Sequence, residues 1–138
     1  MKERSFLDTN ILVYTDDADA PDKSERAIEL VEQAIRSKKG VISTQVLQEY
    51  FVTSTRKLGV AVETAKQRAR LFARMSVIQI ATSDVMAAID LVQLHRLSYW
   101  DALIVQAARK AECGVLLTEG LQHGQVIDGV RITNPFRQ

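Results

Sequence analysis

The chain has 138 residues, of which 46% are hydrophobic, enough to bury a continuous core without disulfides, and we expect one domain over residues 1–138. Its 18 basic and 17 acidic residues leave a net charge of +1, which excludes nucleic-acid binding by bulk charge alone. The single cysteine, Cys113, excludes an intramolecular disulfide and is expected in the core. No segment reaches the ~18 apolar residues of a membrane span, so we expect a cytoplasmic protein with no membrane contact.

Short apolar runs alternate with longer amphipathic segments. We predict strands for the runs that are rich in branched residues, at 5–7, 41–43, 77–80, 115–118 and 130–132. The segments between them are predicted to be helices, and the first long one, over 22–39, is expected to stop at Gly40. This alternation predicts an α/β fold, a three-layer α/β/α sandwich with a central parallel sheet.

Two helices are predicted between residues 82 and 111. Thr82 or Ser83 is expected to cap the first, which carries Met86, Ile89, Asp90 and Leu94. Ser98 is expected to cap the second, whose stripe consists of Trp100, Leu103, Ile104, Ala107, Ala108 and Ala111. The stretch from Gly124 to Gly129 is either a loop or a hairpin.

Four acidic residues lie where predicted strands end or predicted helices begin. Asp8 follows the first strand, Glu119 follows the fourth, Glu49 lies on the helix after the second strand, and Asp101 lies in the first turn of the last helix. Ligands of doubly wound sheets bind outside the carboxyl ends of the strands, and converging carboxylates repel unless a cation intervenes. We therefore expect Asp8, Glu49 and Asp101 to share one open pocket, with oxygens close enough to share a cation.

Each of these residues also has a purely structural explanation. Asp8 can cap the short helix that begins at Asn10, and Asp101 can be the capping-box partner of Ser98. Glu119 alone fits a solvated loop residue. Glu49 is harder to explain in this way, because a carboxylate among apolar helical neighbours is unfavourable without a partner. The placement of all four residues together, rather than any one of them, indicates a functional site.

Four segments together resemble the acidic motifs of PIN domains, in the same order: residues 6–10 (FLDTN), 48–50 (QEY), 97–104 (LSYWDALI) and 116–122 (LLTEGLQ). The resemblance covers essentially the whole chain. It implies a metal-dependent endoribonuclease of the VapC type, the toxin of a bacterial toxin–antitoxin pair, usually a homodimer held inactive by a cognate antitoxin. Asp8, Glu49 and Asp101 match the first three acidic positions of the family, whereas Gly120 stands where the fourth aspartate is expected.

Hydrolysis of an RNA phosphodiester bond suggests a role for each acidic residue. Mg²⁺ or Mn²⁺ held by carboxylates supplies an activated water and positive charge, and Mg²⁺ needs few protein ligands. We expect Asp8 and Asp101 to bind the metal, and Glu49 to bind it or to orient the water. Glu119 is expected to be a weak fourth carboxylate in place of an aspartate at 120. The residues expected to support these ligands are Thr9, Asn10 and Thr118.

Basic residues gather between positions 56 and 74. They are either a solvated helical face or a rim that brings RNA to the acidic pocket; the candidates are Arg56, Lys57, Arg68, Arg70 and Arg74. His95 and His123 belong to no metal-spaced cluster, and we expect surface or packing roles for them.

Three other classes of protein fit parts of the pattern. A receiver-like phosphoacceptor domain also has an acidic pocket on a parallel sheet, but it requires a lysine after the strand that ends at Thr118, and residues 121–124 supply none. A haloacid-dehalogenase-type phosphatase requires Asp-x-Asp after the first strand, and Asn10 replaces the second aspartate. A catalytically weakened PIN-like domain that binds RNA or a partner is the third, motivated by Gly120.

Overall fold

A six-stranded, mostly parallel sheet forms the centre of the molecule, whose computed structural model describes residues 3–137. The strands are β1 (Ser5–Leu7), β2 (Gly40–Ser43), β3 (Ser76–Ile78), β4 (Val115–Leu117), β5 (Val126–Ile127) and β6 (Val130–Thr133). They lie in the order β3-β2-β1-β4-β6-β5, and β5 runs antiparallel to β6 while the other neighbours are parallel. The predicted parallel sheet is confirmed, and residues 124–129 belong to a hairpin rather than a loop.

Helices cover both faces of this sheet. Within residues 3–137 they are α1 (Thr9–Tyr14), α2 (Pro21–Ser37), α3 (Thr44–Arg56), α4 (Val62–Phe72), α5 (Thr82–His95) and α6 (Tyr99–Lys110). Because crossovers between parallel strands are right-handed, α1–α4 lie on one face and α5–α6 on the other. All four residues of β2 are buried, as this three-layer arrangement requires. None of these helices is long and apolar enough to cross a membrane.

The end of α2 differs from the prediction. The helix ends at Ser37, and Lys38 rather than Gly40 adopts the left-handed conformation that closes it, with φ of 61°. Gly40 is the first residue of β2, where an added Cβ atom would lie 2.5 Å from the Cβ of Ala34. The glycine therefore permits close packing of the helix end on the strand.

The predicted helix is present as α5, but the apolar residues named for it do not form its buried face. Met86, Ile89 and Leu94 are exposed by 58%, 43% and 73% respectively, while Ala88 and Leu91 are buried. The helix is apolar on most sides, so its periodicity does not select the buried face. The cap also differs, because the buried carboxylate of Asp84 accepts the Ala81 N–H at 2.8 Å and neither Thr82 nor Ser83 caps the helix.

The predicted stripe of α6 is correct except at its first residue. Leu103, Ile104 and the alanines that follow are buried, whereas Trp100 is 61% exposed. Ser98 caps the helix as predicted, with its hydroxyl accepting the Asp101 N–H at 3.1 Å.

Cys113 and the two histidines have the roles expected of them. Cys113 is buried, and burial raises the pKa of its thiol to about 11. Nε2 of His95 lies 3.9 Å from Oδ1 of Asp128, and Nδ1 of His123 accepts the Asn134 N–H at 3.0 Å.

Candidate active site

The central strands β1 and β4 mark the point where strand order reverses. The chain leaves β1 toward β2 and leaves β4 toward β6, so a crevice opens beyond their carboxyl ends. Asp8 follows β1 directly and Thr118 follows β4. The Asp8 N–H donates to the Leu117 carbonyl at 3.0 Å, which holds the two strand ends together.

Three carboxylates line one open cleft at this crevice. The cleft has a volume of about 540 Å³, and Asp8, Glu49 and Asp101 are among its lining residues. Asp8 is the N-cap of α1, Glu49 lies in the second turn of α3, and Asp101 lies in the first turn of α6. The prediction that these residues share one open pocket is confirmed.

The second part of that prediction, that the three carboxylates stand close enough to share a cation, is not borne out by the side chains as they lie in residues 3–137. In residues 3–137, no three Asp, Glu, His or Cys side chains already stand where they would hold a metal ion. Like charges repel, and Asp8 and Glu49 each accept hydrogen bonds from neighbouring residues. The hydroxyl of Thr9 donates to Glu49 Oε1 at 2.7 Å, and Gln45 Nε2 donates to Glu49 Oε2 at 3.2 Å.

The hydrogen bonds around Asp8 determine the orientation of every group in its network. The Glu119 N–H donates to Asn10 Oδ1 at 3.2 Å, so the amide of Asn10 turns its Nδ2 toward Thr118 Oγ1, at 3.2 Å. Thr118 Oγ1 also accepts the Gly120 N–H at 3.0 Å, and both lone pairs are then used. The hydroxyl proton therefore points to Asp8 Oδ2 at 2.8 Å, while Asp8 Oδ1 accepts the Thr9 N–H at 2.7 Å.

The pKa of Asp8 is raised to about 6: burial is the largest cause and the negative charges of Glu49 and Asp101 act in the same direction, while the hydrogen bonds from Thr118 and Thr9 oppose them. The metal-free fold therefore binds a proton at Asp8 more tightly than the unfolded chain does, whose Asp pKa is near 3.9. This tighter binding stabilises the fold at low pH and is lost as the pH rises from about 4 to about 6. The loss is roughly 3 kcal/mol, since one pKa unit corresponds to about 1.4 kcal/mol.

Asp8→Asn is expected to destabilise the fold at the low end of this pH range and to stabilise it above the high end. An amide accepts only one of the two hydrogen bonds from Thr9 and Thr118, which costs about 1 kcal/mol at every pH. We expect the variant to melt below the parent protein near pH 4 and above it at pH 7.5, in EDTA. The control Asp90→Asn changes an exposed aspartate outside the cleft. A midpoint difference that stays constant between pH 4 and 7.5 would contradict the role of Asp8 ionisation.

Glu119 has partners of its own. Its carboxylate forms an ion pair with Lys23 and accepts the hydroxyl proton of Tyr14, and it is not among the residues lining the cleft. Burial disfavours its charge, but the bonds from Lys23 and Tyr14 outweigh burial and hold the pKa of Glu119 below its usual value. Its role as a weak fourth carboxylate remains a prediction, and the ion pair weighs against it.

Gly120 has open space beside it. A Cβ atom there would lie 3.6 Å from Thr118 Oγ1 and 3.9 Å from Asn10 Nδ2, which are ordinary contact distances. An aspartate at this position would therefore start next to the hydroxyl that holds Asp8.

The basic segment does not form one continuous rim. Lys57 lines the cleft, and Arg56 and Arg70 are exposed. Arg68 instead forms an ion pair with the buried carboxylate of Asp16 at 3.0 Å. Arg74 lines a different hollow, next to Gly40 and Ser76 at the amino ends of β2 and β3. Of the five candidates, only Lys57 is placed at the acidic cleft.

Several residues that line the cleft were not predicted from the sequence. Asp17 and Asp19 line it, in the turn that follows α1. The acidic run at residues 16–19 was a visible signal for them. Gln45, which binds Glu49, precedes it by four residues, the spacing that brings two side chains together on one helix face. No signal in the sequence pairs Lys23 with Glu119, because they lie 96 residues apart.

Strand order separates this fold from the receiver-like alternative. Doubly wound folds of the flavodoxin type place the first three strands in the order 2-1-3. Here β3 pairs with β2, on the far side from β1. The receiver-like interpretation is therefore wrong.

Comparisons with known proteins agree with this arrangement. The family model described as PIN domain matches residues 5–126. The chain is similar in structure to the DNA-bound VapBC complex of Salmonella typhimurium, with a TM-score of 0.69 and 21% identity over 97% of this chain and 99% of that chain. A toxin–antitoxin complex from Klebsiella pneumoniae gives a TM-score of 0.67 and 23% identity, with the same coverage of 97% and 99%. VapC20 of Mycobacterium tuberculosis, described as a sarcin-ricin loop cleaving toxin, gives a TM-score of 0.64 and 20% identity over 81% of this chain and 86% of that chain. A search of curated proteins found no significant match.

Proposed function

Because this chain belongs to the PIN domain family, we propose that it is a metal-dependent endoribonuclease and the toxin of a type II toxin–antitoxin pair. The observation that carries the proposal is the single cleft lined by Asp8, Glu49 and Asp101 at the switch point of the sheet. Similarity to VapC20 and to two toxin–antitoxin complexes supports the toxin assignment.

The donor set of the cleft suits a hard divalent cation such as Mg²⁺ or Mn²⁺. It consists of carboxylate oxygens, and a bound cation would offset both the burial and the repulsion by Glu49 and Asp101 that raise the pKa of Asp8. When bound, such a cation acts as a Lewis acid on the phosphate and makes a water acidic enough to attack. Asp8 and Asp101 would hold the cation, and Glu49 would hold it or orient the water.

Neighbouring residues keep these carboxylates in place. Thr118 and the Thr9 backbone direct both oxygens of Asp8, and Asn10 directs Thr118. The Thr9 hydroxyl donates to Glu49 and so directs one of its oxygens. These bonds favour the ionised acceptor oxygens that a cation requires.

We also propose a cognate antitoxin as a partner and a homodimer as the working form. The exposed apolar side chains Met86, Ile89 and Leu94 on α5 provide surface suited to a protein contact.

A second candidate function is a catalytically weakened domain that binds RNA or a partner. The observation that favours it is Gly120 at the position of the fourth acidic residue, with the adjacent Glu119 neutralised by Lys23.

Cleavage of a mixed RNA pool separates these two functions. We expect fragments in Mg²⁺ or Mn²⁺, no fragments in EDTA, and recovery when excess Mn²⁺ is added back. Cleavage that persists in EDTA would reject the metal-dependent mechanism. RNA binding without cleavage under all these conditions would favour the weakened domain.

A further inference from the structure

A large aromatic side chain lies exposed beside the acidic cleft. Trp100, the only tryptophan of the chain, is 61% exposed and directly precedes Asp101. Exposure of an indole ring to water is unfavourable by the transfer free energy of its apolar surface. A ring in this position is therefore a candidate for contact with a ligand.

Trp100 lines a groove that continues from the cleft. This groove, which we call the Trp100 groove, has a volume of about 460 Å³, and its other walls include Gln45, Gln48 and Val52. Val52 is also exposed, by 47%. The groove and the cleft share Thr9, Glu49 and Thr53, so a molecule bound in the cleft has the groove as its immediate neighbour.

The position of Trp100 is linked to that of Glu49. Gln45 Nε2 donates both to Glu49 Oε2 and to the Trp100 carbonyl, at 3.2 Å each. The ring packs edge-to-face on Tyr99, with centroids 5.0 Å apart and an interplanar angle of 74°. These contacts hold Trp100 in place before any ligand binds.

Gln45, which lines the groove, has one buried hydrogen-bond acceptor without a partner. Because Nε2 of Gln45 faces two acceptors, its Oε1 is left without a partner although Gln45 is only 5% exposed. A buried acceptor without a donor costs about 1–3 kcal/mol. The two acceptors of Nε2 nevertheless keep this amide in place between Glu49 and Trp100.

We propose that Trp100 stacks on a base of the RNA next to the phosphate that lies over the carboxylates. The proposal rests on the proposed ribonuclease function and names the subsite that holds the substrate. One ribose joins a phosphate to its base, so a strand with its phosphate in the cleft has a base within reach of the groove. Unstacked bases of single-stranded RNA bind aromatic side chains in this way.

Fluorescence of the single tryptophan tests this contact directly. Mixed-sequence RNA hexamers should quench Trp100 in Mg²⁺ when recorded by stopped flow before products accumulate. Hexamers of the same length with abasic riboses keep the phosphates and should leave the fluorescence nearly unchanged. Equal quenching by both kinds of hexamer, or quenching by neither, would overturn the proposal.

Cleavage kinetics provide an independent readout. Trp100→Ala should raise KM by roughly 5- to 150-fold, the range for loss of one stacked base, with little change in kcat. Trp100→Phe keeps a ring and should recover most of the affinity. The matched control Val126→Ala truncates a side chain that is also 61% exposed, on β5, and should leave KM unchanged. An unchanged KM in Trp100→Ala would overturn the proposal.

The outcomes also separate this proposal from the proposed function. If the parent protein cleaves no RNA in any divalent ion while hexamers still quench Trp100 selectively, the nuclease assignment fails and the base subsite remains. If Trp100→Ala disrupts self-association in analytical ultracentrifugation without affecting RNA binding, the groove is an interface between copies of the chain and the base subsite is rejected.

Discussion

Asp101→Asn is expected to lower RNA cleavage by about 10³-fold or more. A cation that stabilises transition-state charge contributes several kcal/mol, and each ~1.4 kcal/mol is tenfold in rate. The substitution removes the negative charge of a proposed metal ligand with almost no change in shape. It leaves the backbone N–H of residue 101 bonded to Ser98, so α6 keeps its cap. Single-turnover cleavage in Mn²⁺ measures the loss.

Asp90→Asn is the matched control for this loss. Asp90 is an exposed aspartate on α5, outside the cleft, and its replacement makes the same change in charge. We expect its cleavage rate to equal that of the parent protein and both variants to stay folded in thermal melts. An Asp101→Asn variant that is folded and cleaves at more than a tenth of the parent rate would remove Asp101 from the proposed metal site.

Gly120→Asp is expected to raise cleavage by roughly one to several orders of magnitude in Mn²⁺ or Mg²⁺, since a second cation contributes up to several kcal/mol. The new Cβ atom would lie 3.6 Å from Thr118 Oγ1, with no clash and no left-handed backbone strain. The added carboxylate would stand beside the group that holds Asp8, where Glu119 is engaged by Lys23. Single-turnover cleavage of a mixed RNA pool by both forms measures the gain.

Gly120→Asn separates charge from shape at this position. It adds a side chain of the same size without the anionic oxygens, and we expect no gain from it. Equal rates for the parent protein and Gly120→Asp would mean that the fourth carboxylate is dispensable here or that Glu119 already fills the role. Lys23→Ala, which releases Glu119 from its ion pair, would then be expected to change the rate only in the second case.

The sequence alone determined the local features of this protein. Branched apolar runs predicted five of the strands, and Ser98 occupies the helix start expected of it. These features depend on residues within a few positions of one another, which one sequence displays directly. The placement of three carboxylates in one cleft also followed, because parallel strands bring their carboxyl ends to one edge of a sheet.

Only the tertiary structure decided which faces are buried and which charges meet. The periodicity of α5 did not select a face, because the buried side is the one that meets α6 through Asp84, Gln106 and Lys110. Trp100 continues an apolar stripe in sequence, yet its ring, in the first turn of α6, is exposed. Glu119 pairs with Lys23 across 96 residues of chain. Such contacts depend on how elements distant in sequence pack together, and the sequence of one segment does not identify the segment that packs against it.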